Sequence, residues 1–195
     1  MGMKLIEDTQ SEPISPLIDV VANAMAAMFI MLVVYMALTA QPKPPPIITI
    51  SEAEGLRFPS GSAELTDAAR LVLVSAVVPI VRKHAAECRC DILEVIGHTD
   101  GQELRAVSNL DRALDVKSGS VAPLIPGSNT DLGLLRAWSV IGEFQKVPGF
   151  AGMRFYGYSA GQTILPHGEL AGNERGSEEE SRRRIEIRLR RSVSR

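Results

Sequence analysis

Residues 90–100 read CDILEVIGHTD, a run dense in isoleucine, leucine and valine that ends at a glycine and a polar turn. Such a run is typical of a β-strand. After it, TDLGLLRAWSVIGEF at 130–144 predicts a helix capped by Asn129 or Thr130, and RFYGYS at 154–159 predicts another strand. Because strand-like and helix-like segments interleave, the sequence predicts an α/β fold, a two-layer sandwich of one sheet against a layer of helices.

Two further segments extend this predicted sheet. RRRIEIRLR at 182–190 predicts a last strand, whose aliphatic side chains point to one face while the charged side chains between them point to the other. The aliphatic positions are Ile185, Ile187 and Leu189. At the front of the domain, IITI at 47–50 followed by GLRF at 55–58 predicts an opening strand.

A helix is predicted between the opening strand and residues 90–100. Thr66 is its predicted cap, and apolar residues then recur at helical spacing. These residues are Ala69, Leu73, Ala76, Val77 and Ile80. Pro79 is predicted to kink this helix, because proline removes the hydrogen bond to the Ser75 carbonyl.

An N-terminal run, residues 17–40, is almost continuously apolar. At about 1.5 Å per residue it exceeds the roughly 30 Å hydrocarbon core of a bilayer, so it predicts a transmembrane helix. A signal peptide cleaved before Gln41 is the competing interpretation. The length of the apolar run and the acidic segment that precedes it argue against cleavage.

Composition and layout limit the remaining possibilities. The prolines of QPKPPP, residues 41–46, favour a short, stiff, extended linker. The chain of 195 residues therefore divides into a tail at 1–16, the membrane helix, this linker and one domain at 47–195. A net charge of -2 indicates neither a basic nucleic-acid-binding surface nor an acidic disordered chain, so no nucleic-acid partner is expected.

Asp19 is a carboxylate just inside the apolar run. A charge at the centre of a membrane helix costs about 2.5–3.5 kcal/mol on insertion scales, and such residues usually line a polar pathway or face a partner helix. Alternatively, Asp19 lies near the helix start, where it complements the helix dipole and reaches the headgroups. Asn23, one turn further on the same face, favours a polar stripe directed at other protein. A single helix cannot form a pore, so the functional interpretation requires partner helices.

Three other groups of residues were candidates for chemistry. Cys88 and Cys90 have no Cys or His partners at zinc spacing, so the sequence predicts small buried residues and no metal site, with a local disulfide as the less favoured alternative. His98 is predicted to pack in a turn, since no nucleophile with an orienting acid accompanies it, and neither enzymatic activity nor a cofactor is expected. For Arg182 to Arg184, a solvated strand end is favoured over a phosphate-binding patch.

The motif PLIDV at 16–20, followed by an apolar run, resembles the membrane helix of the ExbD and TolR family. An Asp early in a single N-terminal helix equally resembles MotB stator subunits. The resemblance implies that Asp19 is the ion-carrying carboxylate of a proton- or sodium-driven motor inside a ring of MotA-like or ExbB-like subunits. The physical logic is that a carboxylate in a low-dielectric site gains affinity for protons and can alternate between charged and neutral forms.

Most of the segment 58–189 resembles the OmpA-like peptidoglycan-binding domain. Five motifs follow that family's order, namely FPSGSAEL at 58–65, GHTDG at 97–101, NTDLGLLRA at 129–137, YGYSAGQ at 156–162 and RRIEI at 183–187. In the family, an Asp after the strand and an Arg of the next helix bind the free amine and carboxylate of diaminopimelate in the cell wall. Matched residue by residue, these are Asp100 and Arg136, with Asn129 and Leu132 completing the motif.

The residue chemistry suits this implied role. Arg136 can form a two-bonded pair with a carboxylate and Asp100 can accept from an ammonium, so a zwitterionic amino-acid end would be recognised at both poles. Asn129, Leu132 and Arg136 follow one another along one helical face. The alternative is that Asp100 caps a turn and Arg136 is an ordinary surface arginine.

The chain also departs from the family pattern at three places. The segment between Asp100 and Asn129 is longer than is usual in OmpA-like domains. Ser128 stands where the family often has an aromatic residue. The Glu that usually follows in the stretch equivalent to YGYSAGQ is missing.

Together, a motor-type helix, a short stalk and a wall-binding domain resemble the B subunit of a stator. The acidic tail and the short linker look more like the ZorB subunits of the Zorya anti-phage defence system than like flagellar MotB. That resemblance implies a MotA-like (ZorA-like) ring of multi-helix membrane subunits around two copies of the B subunit. It also implies a bacterial inner-membrane, single-pass protein with a cytoplasmic N-terminus and a periplasmic domain. A flagellar stator subunit and a passive OmpA-like tether are the alternatives.

Overall fold

The computed structural model describes residues 15–39, 44–111, 124–172 and 179–192. The chain divides into two compact units, Met1–Lys43 and Pro44–Arg195. Almost all of the predicted tail, half of the predicted linker and part of the long segment before Asn129 lie outside the described residues.

The first unit contains one long apolar helix, α1, Ser15–Thr39. Its 25 residues correspond to about 37 Å, and its apolar part, Pro16–Thr39, is long and apolar enough to cross a membrane. The predicted N-terminal apolar helix is therefore present. Asp19 and Asn23 both lie on exposed positions of this helix.

The second unit is a four-stranded sheet with helices. Its strands are β1 Ile48–Ser51, β2 Ile92–His98, β3 Arg154–Gly161 and β4 Arg184–Arg190, and its helices are α2 Asp67–Val72, α3 Val78–Cys88 and α4 Asn129–Gln145. The spatial order is β1-β4-β2-β3. Strand β4 is antiparallel to both of its neighbours, whereas β2 and β3 are parallel. The parallel pair is joined through α4, as parallel strands require a long crossover connection.

The core of this unit lies between the sheet and the helices. Sheet residues Leu93, Val95 and Ile187 are fully buried against helical residues such as Val81 and Phe144. The predicted alternation in β4 is also observed, since its three aliphatic side chains all lie in the core. These elements confirm the predicted α/β sandwich of one sheet against a helical layer.

The first helical segment of the domain differs from the prediction. A π-helical turn, Leu73–Val77, separates α2 from α3, and the Val78 N–H donates to the Leu73 carbonyl. This extra residue per turn precedes Pro79, which has no N–H to donate. The turn also shifts the buried face by one position, so Val81 is buried while Ile80 is exposed.

Two other local predictions are wrong. The segment GLRF, residues 55–58, is not part of a strand, because β1 ends at Ser51 and a short 3-10 turn follows. Leu56 and Phe58 are nevertheless buried and extend the core. The cap of α4 is Ser128, whose hydroxyl accepts from the Asp131 N–H.

Cys88 and Cys90 form a disulfide at the C-terminal end of α3, and both are half-buried. The prediction of two free, buried cysteines is therefore wrong. Arg89 between them adopts a left-handed conformation, which ends the helix and turns the chain back. This local reversal brings together two side chains that an extended or helical backbone would hold apart.

Glu186 forms a charged cluster on the sheet face opposite the core. Its carboxylate lies 3.1 Å from the imidazole of His98, 3.0 Å from the Arg188 guanidinium and 3.2 Å from the Arg184 guanidinium. His98 is almost fully buried, but it is the last residue of β2 and does not lie in a turn. Hydrogen bonding to His98, aided by the two arginines and opposed by burial, lowers the pKa of Glu186 to about 2.

This lowered pKa predicts an acid-sensitive contribution to stability. The ordinary pKa is 4.5, so the stabilisation is complete above pH 4.5 and is lost as the pH falls towards 2. We expect Glu186→Gln to lower the unfolding free energy by about 3 kcal/mol at pH 7, and by much less at pH 2. Urea unfolding of the full chain in detergent, followed by circular dichroism at both pH values, measures this. An equal loss at both pH values would contradict the assignment.

Candidate functional site

A close contact between two glycines brings the predicted site residues together. Gly97, near the end of β2, lies against the backbone of Gly133 in the second turn of α4. Asp100 follows Gly97 by three residues and Arg136 follows Gly133 by three residues. The crossing of the strand and the helix therefore places Asp100 and Arg136 in the same cavity.

This cavity has a volume of about 200 Å³. It contains all four residues predicted from the sequence, namely Asp100, Asn129, Leu132 and Arg136. Glu52, Phe58 and Arg183 also line it. The structure thus assembles the predicted residues in one place, while their binding role stays a prediction.

Arg136 is buried but keeps part of its hydrogen-bonding capacity. Its Nε donates to the Ser62 carbonyl at 3.1 Å, and its guanidinium lies 4.9 Å from the centre of the Phe58 ring. Burial lowers its pKa, and the negative charges of Glu52 and Asp100 oppose this effect. Within the described part of the chain, its two Nη groups make no hydrogen bond, and the nearest carboxylate oxygen, on Glu52, is 3.8 Å away. The guanidinium fork is therefore available to a carboxylate ligand.

Asp100 is held by an ion pair and by a hydrogen bond from the loop that follows it. One of its carboxylate oxygens accepts from Nη1 of Arg183 at 2.7 Å, and the other accepts from the Gln102 N–H at 3.3 Å. The side-chain amide of Asn129 donates to the Gln102 carbonyl at 2.6 Å, which ties the loop after Asp100 to α4. Leu132 contributes an apolar wall. Asp100 is thus a charged partner of Arg183 in addition to any role towards a ligand.

Glu52 and Arg183 are site residues that the sequence did not reveal. Nε of Arg183 donates to Glu52 Oε2 at 2.7 Å, and the Glu52 N–H donates to the Arg183 carbonyl at 3.0 Å. Burial opposes the charge of Arg183, but hydrogen bonds to Asp100 and Glu52 outweigh it and raise the pKa. Ser51 pairs with Arg184 where β1 meets β4, and this pairing brings the next residue, Glu52, beside Arg183. Only knowledge of the strand register could have indicated the contact between Glu52 and Arg183.

The expectation of a solvated strand end at Arg182 to Arg184 is wrong. Arg182 and Arg184 are only 1% and 5% exposed. Arg182 donates to the Gln162 carbonyl, and Arg184 donates to the Leu165 carbonyl and contacts Glu186. Their burial is offset by hydrogen bonds to backbone carbonyls and, for Arg184, by the Glu186 carboxylate.

Similarity to known proteins is visible in structure and not in sequence. No family model matches the chain, and no curated protein matches it. A crystal structure of the periplasmic domain of Helicobacter pylori MotB aligns over 78% of this chain and 87% of that chain, with a TM-score of 0.50 and 16% identity. The Pro44–Arg195 unit has the fold of a MotB periplasmic domain.

Two other solved structures are similar at lower scores. The cell wall anchor of the type VI secretion system from Pseudomonas aeruginosa aligns over 75% of this chain and 81% of that chain, with a TM-score of 0.44 and 20% identity. The OmpA-like domain of FopA1 from Francisella tularensis aligns over 75% of each chain, with a TM-score of 0.36 and 13% identity. The fold assignment rests on the MotB domain.

Proposed function

We propose that this chain is the B subunit of an ion-driven inner-membrane motor, anchored to peptidoglycan through its C-terminal domain. The observation that carries the anchoring role is the cavity in which the unengaged Nη groups of Arg136 and the carboxylates of Asp100 and Glu52 lie together. A motor needs such an anchor, because ion flow can rotate one part only if another part is held still.

The ligand that fits this cavity is the side-chain end of diaminopimelate, which carries a carboxylate and an ammonium. The guanidinium of Arg136 would bind the carboxylate with two parallel hydrogen bonds, and the acidic side chains would receive the ammonium. Asn129 would fix the loop that carries Asp100, and Leu132 would contact the aliphatic part of the ligand. The fold of a MotB periplasmic domain supports this role.

The disulfide supports a periplasmic location of the domain. Disulfides persist in oxidising compartments such as the bacterial periplasm and are rare in the cytosol. With α1 as the one helix among the described residues that could span a membrane, a periplasmic domain implies a cytoplasmic N-terminus. The protein would then be a single-pass protein of the inner membrane.

The motor role belongs to α1 and its partners. Asp19 would carry a proton or sodium ion, and a MotA-like, ZorA-like ring of multi-helix subunits would enclose α1 from two copies of this chain. The acidic tail and the short linker favour a role in Zorya anti-phage defence over a flagellar stator.

Retention on purified peptidoglycan tests the anchoring role. Arg136→Ala should reduce the fraction of full-length protein that sediments with the wall by at least about tenfold, because it removes the guanidinium that would bind the carboxylate of the ligand. Arg70→Ala is the control, since Arg70 is exposed on α2 and lies outside the cavity. Undiminished sedimentation of a folded Arg136→Ala protein would count against the site.

A further inference from the structure

Glu52 brings a second carboxylate into the cavity, beside Asp100. Its side chain is only 7% exposed, and its Oε2 accepts from Arg183. Its Oε1 has no hydrogen-bond partner among the described residues and lies 3.8 Å from Nη1 of Arg136. A buried carboxylate oxygen without a donor is rare and unfavourable, so this atom marks a position that a donor from a ligand can satisfy.

The guanidinium of Arg183 carries one positive charge and contacts two carboxylates. Its Nη1 lies 2.7 Å from Asp100, and its Nε lies 2.7 Å from Glu52. We call the side chains of Asp100, Glu52 and Arg183 the acidic pole. Two negative charges and one positive charge leave this pole with one negative charge in excess. Glu103 also lines the cavity, but it is exposed and paired with Arg105. The acidic pole and Arg136 therefore give the cavity one negative and one positive region.

We propose that Glu52 determines the selectivity of this site for a ligand that carries an ammonium as well as a carboxylate. The proposal rests on the proposed wall-binding function and adds a residue to it. Because the one charge of Arg183 can compensate only one of the two carboxylates, the presence of Glu52 beside Asp100 leaves one negative charge to attract an ammonium. Glu52 Oε1 is the oxygen that lacks a donor, whereas both Asp100 oxygens accept hydrogen bonds. Without that charge, the pole is neutral and the cavity retains only the attraction of Arg136 for a carboxylate.

Two probes separate the two parts of this recognition. One is a synthetic stem peptide whose diaminopimelate keeps its free amine and carboxylate, and the other is the same peptide with that amine acetylated. The ratio of their dissociation constants, measured by calorimetry on the full-length chain in detergent, reports the selectivity for the ammonium. We expect a ratio of at least about ten for the unmodified protein, since the charges lie within a few ångströms in a buried site.

Removing a negative charge and removing a positive charge from the acidic pole should change this ratio of dissociation constants in opposite directions. Glu52→Gln removes the excess negative charge, so the ratio should fall below about three, with no loss of affinity for the acetylated peptide. Arg183→Gln raises the excess to two negative charges, so the ratio should rise above that of the unmodified protein. Thermal unfolding establishes that each variant is folded, and if one is not, the ratio of the other decides.

The outcomes distinguish this inference from the proposed function. An unchanged ratio in Glu52→Gln, or an Arg183→Gln ratio that does not rise, overturns the role of Glu52. Loss of binding of both peptides in folded Glu52→Gln also overturns it, since Glu52 would then be needed to position Arg136. If the unmodified protein binds neither peptide, the wall-binding function itself has failed. If it binds both equally, only the selectivity has failed.

Discussion

Replacement of Gly97 by alanine should destabilise the C-terminal domain by about 3 kcal/mol or more. A Cβ atom at this position would lie 1.9 Å from the carbonyl oxygen of Gly133 and 2.7 Å from its carbonyl carbon. Both are backbone atoms, so no side-chain rotation can relieve the overlap. Strand β2 and helix α4 would have to separate, and the core between them would lose its packing.

Gly142→Ala is the matched control for this prediction. Gly142 also lies on α4, but a Cβ there would meet nothing within 4 Å. Alanine is the better helix former by about 1 kcal/mol, so this variant should be as stable as the unmodified protein or more stable. Urea unfolding of the full chain in detergent, followed by circular dichroism, compares the two variants. Equal stability of both would contradict the close contact of β2 and α4.

The same contact explains why the sequence could predict part of the site. Asp100 follows closely after the strand at 92–98, and Arg136 lies within the helix at 129–145. Both elements have a strong sequence pattern. Aliphatic density and helical spacing predict these two elements from local sequence. The family resemblance then linked them, and the structure places both residues in one cavity.

Glu52 and Arg183 could not be predicted, because their contact depends on register. They lie 131 residues apart, and the antiparallel pairing of β1 with β4 brings them together. A shift of one residue would turn every side chain of either strand to the opposite face. No local pattern in the sequence fixes that register, so Arg183 looked like one of several charges at a strand end.

Local backbone geometry accounts for two further errors. The π-helical turn before Pro79 adds a residue, which moves the buried position from Ile80 to Val81. The left-handed conformation of Arg89 allows the disulfide between its neighbours. Periodicity assumes a regular helix and therefore misses both features.

We expect Asp19→Asn to abolish the proposed motor function while leaving the proposed retention on peptidoglycan unchanged. Asparagine has nearly the shape of aspartate and can still make hydrogen bonds, but it cannot gain or lose a proton and has no negative charge to neutralise a sodium ion. If Asp19 carries the ion, protection against phage should fall to that of cells without the system. If α1 is only a tether and Asp19 only complements the helix dipole, protection should survive almost intact.

The decisive measurement is the efficiency of plating of phage on cells that express the complete system with this single substitution. Immunoblots of membrane fractions must find equal amounts of the variant, and sedimentation with purified peptidoglycan must match the unmodified protein. Asn23→Ala is the control on the same face of α1, one turn away, because it changes the polar stripe without removing a charge. Full protection in Asp19→Asn would exclude the motor role, since no other acidic residue lies within α1. It would leave the proposed role of the Arg136 cavity untouched.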